Sequence, residues 1–211
     1  MKIMKIFLED RRMWAGIMLF LVGGIALMGI ITAEVVYPGY TTQQEISDLG
    51  ASRPPDSIIH QPSATIFNTT MLICGALILF SIYLLNDIFK DRFFTISMVL
   101  LGVGIFGVGV FPGNRVPWHL IFALLTFVSG GFTMLSSSRV VRTTFKYLCI
   151  IYGLISLTAL SSTIFLGDAN PLNFLEYGGI ERWVVYPLLL WITGFGGYLL
   201  GDRDHDQEQK R

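Results

Sequence analysis

Few side chains in this 211-residue chain could carry out acid–base or metal chemistry, since it holds only three histidines. His60 and His119 fall on the same predicted side of the protein as the acids Glu34, Asp48 and Glu181. Histidines and carboxylates together can bind zinc, but no HExxH or HxxxH pattern and no close acid–histidine spacing occurs. We therefore predict no metal and no cofactor. His119 follows a Pro-Trp pair, so it is either an interfacial residue beside an aromatic anchor or a general base oriented by an outer acid.

The pair Glu181-Arg182 and the amide Asn68 are the other polar candidates. Glu181 precedes an apolar run, where a carboxylate complements the dipole at a helix N-terminus. Arg182 can extend toward lipid phosphates at the headgroup level, and a purely structural role is the equal alternative. Asn68 matches a glycosylation acceptor, but it begins an apolar run that the transferase would not easily reach. We expect Asn68 to cap a helix or to form an interhelical hydrogen bond.

Two further patterns carry no chemistry in our interpretation. Gly102, Gly104 and Gly107 match the dinucleotide-binding fingerprint, which requires a preceding strand and a downstream acid. Here the glycines lie inside an uncharged apolar run, so we discard the match. Cys74 and Cys149 lie in separate apolar runs, and we predict small buried hydrophobic side chains.

The elements that must position these residues are membrane-spanning helices. Hydrophobic residues make up 53% of the chain and charged residues 14%, with a mean hydropathy of +0.61 and no net charge. This composition excludes a disordered chain, a disulfide scaffold and a general nucleic-acid binder. Six runs have the length of about 20 apolar residues that a spanning helix needs: 13–36, 65–86, 93–112, 118–138, 147–167 and 183–201. They lack the polar face of a soluble bundle. We predict an all-α integral membrane bundle of six transmembrane helices that forms a single domain over residues 1–211.

The basic residues predict that both termini are cytoplasmic, following the positive-inside rule. With alternating spans, only Arg53, Arg115 and Arg182 lie outside, and twelve basic residues lie inside: Lys2, Lys5, Arg11, Arg12, Lys90, Arg92, Arg139, Arg142, Lys146, Arg203, Lys210 and Arg211. The first apolar run is too long for a cleaved signal peptide, so we expect an uncleaved signal anchor.

Two outer connections are long enough to build a site, namely 37–63 and 168–182. Loops as long as 37–63 are usually functional or disordered, and the sequence leaves its order open. No internal repeat or mid-span charge indicates a transporter or a proton relay. The many glycines in the spans indicate close helix packing, with a homodimer seam as the alternative.

Ordered landmarks along nearly the whole chain resemble one family. They are 44–51 (QEISDLGA) with 66–68 (IFN), 108–113 (VGVFPG) with His119 and 127–131 (FVSGG), and 178–182 (GGIER) with Tyr186, Pro187 and Trp191. They resemble the domain-of-unknown-function family numbered 998, whose members are described as six-helix prokaryotic membrane proteins without an established activity. The chain is more distantly similar to eukaryotic six-span proteins that include a GPI-anchor lipid remodeller.

The resemblance implies a cell-membrane location in a prokaryote and selects five polar positions: Asp48, Asn68, His119, Glu181 and Arg182. The predicted topology places all five at the outer side. They could form one polar pocket, or a hydrogen-bond network that pins the long loop to the bundle, for instance through an Asp48–Arg182 pair.

Three functions follow as hypotheses. The first is a non-catalytic membrane protein that binds a lipid headgroup or a partner protein at its external face. The second is an enzyme that remodels an external lipid or lipid-linked sugar, with His119 as general base. The third is a small transporter, which the uncharged spans disfavour. We expect membrane lipids as partners and no nucleic acid, with a second copy of the chain or another membrane protein as further candidates.

Overall fold

A computed structural model describes the backbone of residues 2–208 and the side chains of residues 10–201. Six helices make up most of this range: α1 (Lys2–Val36), α2 (Ser63–Leu85), α3 (Arg92–Val110), α4 (Trp118–Ser137), α5 (Phe145–Leu166) and α6 (Glu176–Glu208). Three short 3₁₀ helices lie in the connections, at Ile46–Leu49, Gly167–Ala169 and Asn173–Leu175. No strand occurs between residues 2 and 208. The prediction of an all-α protein with six helices is confirmed.

All six helices contain segments that are long and apolar enough to cross a membrane. Large apolar side chains such as Trp14, Phe80 and Leu190 are exposed along the outer faces of the helices. In water such a surface would be an aggregation hazard, whereas lipid tails solvate it without cost. The chain is therefore a multi-pass membrane protein.

The helices extend beyond the predicted spans at both ends of the chain. α1 begins at Lys2 instead of near Met13, and α6 runs from Glu176 to Glu208. Part of the predicted outer loop 168–182 and part of the polar tail are therefore helical. The predictions ended at the spans because hydropathy marks the segment that contacts lipid, whereas a helix continues into water wherever its backbone hydrogen bonds persist.

The six helices form a closed ring in which each helix packs against its neighbours in sequence and α6 packs against α1. α4 also touches α6 across the ring. One buried cluster fills one half of the bundle around Phe94, Met98, Trp191 and Phe195. A second cluster, around Ile30, Leu49 and Phe67, lies beneath residues 37–62. We call residues 37–62 the first loop, and the end of the bundle that carries it the loop end.

Candidate functional site

The first loop is held on the bundle by the side chain of Arg182, which lies six residues into α6. Arg182 is only 9% exposed. Its Nη1 donates hydrogen bonds to the carbonyl oxygens of Thr42 at 3.0 Å, Gln44 at 3.1 Å and Gly178 at 2.9 Å. Two of these acceptors belong to the first loop, so one guanidinium joins the loop to α6.

The other side of the same guanidinium forms an ion pair at the end of α1. Nη2 of Arg182 donates to Oε1 of Glu34 at 2.6 Å and to the hydroxyl of Tyr40 at 3.0 Å. Burial is the main cause that raises the pKa of Tyr40, although the hydrogen bond from Arg182 lowers it. The Tyr40 hydroxyl thus stays protonated and donates to the Glu45 carbonyl at 2.9 Å. The suggested Asp48–Arg182 pair is wrong, because Glu34 takes the place of Asp48.

The backbone of the first loop also contacts the backbone of α6 at Gly178. The amide of Gly178 donates to the carbonyl of Gln43 at 3.0 Å. A Cβ atom at Gly178 would lie 2.0 Å from the carbonyl oxygen of Gln44. Only glycine allows the loop to approach α6 this closely.

Asp48 and Asn68 also lie at the loop end. Asp48 is a residue of the first loop, and Asn68 contacts the loop from α2. Asp48 sits on the 3₁₀ helix of the first loop, where burial, and next the charge of Glu45, raise the pKa of its carboxyl. Nδ2 of Asn68 lies 3.5 Å from the carbonyl oxygen of Gly50, which is a long hydrogen bond. Its Oδ1 is buried and has no hydrogen-bond partner among the described residues. Asn68 therefore faces the first loop, whereas we expected it to cap a helix or to form an interhelical hydrogen bond.

Glu181 and His119 face a different space, a cleft between α4, α5 and α6 with a volume of about 230 Å³. Polar groups at its upper rim come from both the first loop and the helices: Glu45, Ser47, Arg53, His119, Thr163, Tyr177 and Glu181. Farther along the three helices from the loop end the walls are apolar, with Ala123, Leu124, Phe127, Leu160 and Val184. Leu120, Ile164 and Ile180 are apolar side chains at the level of the rim. Leu120, Leu124 and Ile164 are also exposed on the outer surface. The cleft therefore opens sideways, toward the hydrocarbon of the membrane.

The His119 ring is fixed in one orientation. It is 3% exposed, and its Nδ1 lies 2.8 Å from the carbonyl oxygen of Phe111. A carbonyl oxygen only accepts hydrogen bonds, so Nδ1 carries the hydrogen and the lone pair of the neutral ring lies on Nε2. Nε2 has no hydrogen-bond partner among the described residues. Because His119 lines the cleft, its Nε2 is available there as one hydrogen-bond acceptor.

Glu181 forms the boundary between the cleft and the first loop. One carboxylate oxygen, Oε2, accepts a hydrogen bond from the backbone amide of Ile46 at 2.5 Å. No cation pairs with Glu181 among the side chains of residues 10–201. By contrast, Glu45 at the same rim is paired with Arg53. Glu181 is therefore the unpaired carboxylate of the cleft.

A second, smaller cavity of about 80 Å³ lies inside the ring next to the cleft. Both spaces share four lining residues: Ser47, Ala123, Phe127 and Glu181. The inner cavity extends toward the centre of the bundle, as far as Val22 on α1, Cys74 on α2 and Ile192 on α6. Glu181 thus stands between an amphipathic cleft and an apolar interior.

Of the five residues selected from the sequence, His119 and Glu181 line the cleft, Arg182 and Asn68 contact the first loop from the bundle, and Asp48 lies on the loop itself. Sequence analysis missed the pair Glu45–Arg53 and the rim residue Tyr177. Two signals were available, since Glu45 lies in the first family landmark and Arg53 is one of three basic residues predicted outside. His60 lies elsewhere, against the ring of Tyr37 at a centroid distance of 4.3 Å. No group of three or more metal-ligating side chains occurs among the described residues.

Comparison with protein families gives a match over most of the chain. Residues 20–198 match the model of the family described as "Protein of unknown function (DUF998)", which confirms the resemblance. No curated protein and no solved structure matches the chain. Since the match covers well over half of the chain, with α2 to α5 in full, most of α6 and about half of α1, the chain belongs to this family of unknown function.

Proposed function

We propose that this protein binds a membrane lipid in the cleft between α4, α5 and α6, with the headgroup at the loop end. The observation that carries the proposal is the division of the cleft into a polar rim and apolar walls that open to the side. A lipid has the same division, and it can enter from the bilayer without passing through water. Ligand sites commonly combine apolar walls with a few convergent polar groups in this way.

The rim favours a headgroup that donates hydrogen bonds. Arg53 is engaged by Glu45, and Arg182 by four carbonyl or carboxylate oxygens and the Tyr40 hydroxyl. Glu181 and Nε2 of His119 each offer the cleft an acceptor, and the hydroxyls of Ser47 and Tyr177 can donate or accept. A hydroxyl or ammonium headgroup can donate to the two acceptors, whereas a phosphate oxygen that carries no hydrogen cannot.

The loop end is external in this proposal. The basic residues support this orientation, since twelve of fifteen lie at the opposite end or in the terminal segments when the spans alternate. The ligand would then be a lipid of the outer leaflet of the cell membrane.

The proposal predicts that Glu181→Gln weakens lipid retention by up to about tenfold, because it removes one acceptor from the cleft and a hydrogen bond contributes roughly 0.5–1.5 kcal/mol. The amide can still accept from Ile46, so the loop attachment is preserved. Retention is measured by native mass spectrometry after exchange into vesicles of phosphatidylethanolamine, a neutral glycolipid or phosphatidylcholine, whose headgroup has no hydrogen to donate. If Glu181→Gln retains less phosphatidylethanolamine but as much glycolipid as the unmodified protein, the ligand has an ammonium headgroup. If it retains less glycolipid, the ligand has a hydroxyl headgroup.

Glu176→Gln is the matched control, since Glu176 begins α6 at the same end but does not line the cleft. It should retain lipid as the unmodified protein does. The proposal fails if Glu181→Gln behaves like Glu176→Gln with every vesicle, or if phosphatidylcholine is the lipid preferred.

A lipid-modifying enzyme is the second candidate, and the fixed ring of His119 favours it. Its Nε2 lone pair would face a bound headgroup, where a general base is placed. No acid or nucleophile forms a hydrogen bond with His119 among the described residues. Conversion of the retained lipid during incubation, abolished by His119→Ala, would establish this alternative. Unchanged lipid masses would leave binding as the function.

A further inference from the structure

The inner cavity has almost no polar character, although it borders the polar rim. Its walls come from five helices and include Val22, Ile30, Phe67, Ile105 and Leu189. Its few polar side chains are Ser47, Cys74, Thr126 and Glu181. Thr126 donates its hydroxyl to the Phe122 carbonyl of its own helix at 2.8 Å, so it does not need a water partner.

Such a space is expected to be dry. An apolar cavity of about 150 Å³ stays empty of water and accepts benzene or xenon. At about 80 Å³ this cavity is roughly half that size, which suits the end of a linear chain and not a ring. Atoms that line an empty cavity lack contacts on one side, so a chain that fills the space gains dispersion energy. The hydrophobic effect adds little, since the chain comes from equally apolar lipid.

We propose that the inner cavity binds the end of one straight hydrocarbon chain of the lipid whose headgroup occupies the cleft. This inference rests on the proposed function. The shared residues Ser47, Ala123, Phe127 and Glu181 separate the two spaces by the thickness of one layer of side chains, and the chain would pass between them. The hydrogen bond from Ile46 to Glu181 lies at this passage and ties its upper wall to the first loop. The proposed ligand class is therefore a straight-chain acyl lipid, and a methyl-branched isoprenoid chain is the comparison ligand of the test.

The test uses a phosphatidylethanolamine and a neutral glycolipid, each with a diazirine at the end of one acyl chain, in vesicles with the full-length protein. After irradiation, mass spectrometry maps the adducts. We expect adducts on cavity residues such as Met71 and Ile105, and competition by straight-chain lipids but not by phytanyl lipids.

Ala26→Leu is the critical variant, since Ala26 lines the cavity and is 4% exposed. The larger side chain should fill the space and reduce the inner adducts about tenfold, corresponding to roughly 1.4 kcal/mol, and move them to the cleft walls at Leu124 and Ile164. Ala76→Leu makes the same change on the exposed face of α2 and should leave the adducts unchanged. Thermal melting of both variants verifies that they fold.

Three outcomes contradict the inference in distinguishable ways. Adducts at Leu124 and Ile164 but not in the inner cavity of the unmodified protein overturn the inner site and leave the cleft as a lipid site. Adducts spread evenly over all exposed helix faces overturn both proposals. Equal competition by phytanyl lipids overturns the straight-chain specificity. If Ala26→Leu fails to fold, the adduct map of the unmodified protein and the phytanyl competition still show whether a straight chain occupies the inner cavity.

Discussion

Replacing Arg182 with methionine should lower the free energy of unfolding by about 3–5 kcal/mol, the usual cost of removing one partner from a buried ion pair. The substitution leaves the carboxylate of Glu34 without its cation and three backbone carbonyls without their donor. Because the lost contacts hold the first loop, the loop should also become open to proteases. Thermal unfolding in detergent and limited proteolysis of residues 37–62 measure the two effects.

Arg53→Met is the matched control for this substitution. Arg53 is also paired with a glutamate, Glu45, but its side chain is 52% exposed, against 10% for Arg182. Exposed ion pairs contribute about 0–1 kcal/mol, so Arg53→Met should melt close to the unmodified protein. Combining Arg182→Met with Glu34→Met should recover part of the lost stability, since no unpaired charge remains. If Arg182→Met melts like Arg53→Met, the guanidinium does not hold the loop.

Gly196→Ala should produce the second large effect, by separating the two helices that close the ring. A Cβ atom at Gly196 would lie 2.4 Å from the backbone nitrogen of Phe20 and 2.8 Å from the carbonyl oxygen of Gly16, both on α1. Backbone atoms cannot rotate away, so α1 and α6 must move apart. Overpacking costs about 1–3 kcal/mol where side chains can adjust, and we expect a cost at or above the upper end of this range.

The neighbouring Gly197 provides the control, since no atom lies within 4 Å of a Cβ added there. Alanine is favoured over glycine in a helix interior by about 1 kcal/mol, so Gly197→Ala should melt at the same temperature or higher. The melting temperatures of the two variants, measured in the same detergent, give the comparison. Equal melting temperatures would show that α1 and α6 do not approach as closely as the ring requires.

The spans were predictable because each apolar run reports directly on contact with lipid. The ends of α1 and α6 were not, because charged residues such as Lys2 and Asp204 are compatible with helix in water and leave no hydropathy signal. The order of the first loop was also not predictable. It depends on a few hydrogen bonds between residues more than 130 positions apart, such as Ile46 to Glu181.

The arrangement of the five selected polar residues could not be predicted from the sequence. The sequence placed five polar residues at one end of the bundle, and all five lie there. It did not separate Arg182, which supports the loop, from Glu181, the adjacent residue, which faces the cleft. Consecutive residues on a helix point in directions about 100° apart, so neighbours in sequence serve different surfaces. To predict that Glu34 pairs with Arg182, one would need to know the path of the first loop. No periodic pattern in the sequence specifies that path.

The central claim is that a lipid occupies the cleft, and the most direct measurement is an experimental density map of the protein purified in patches of its native membrane. We predict continuous elongated density that begins at His119 and Glu181, follows the apolar walls of α4 and α5, and ends in the inner cavity beside Ala26. A map in which α4, α5 and α6 close on one another, or in which the cleft contains only water, would contradict the account.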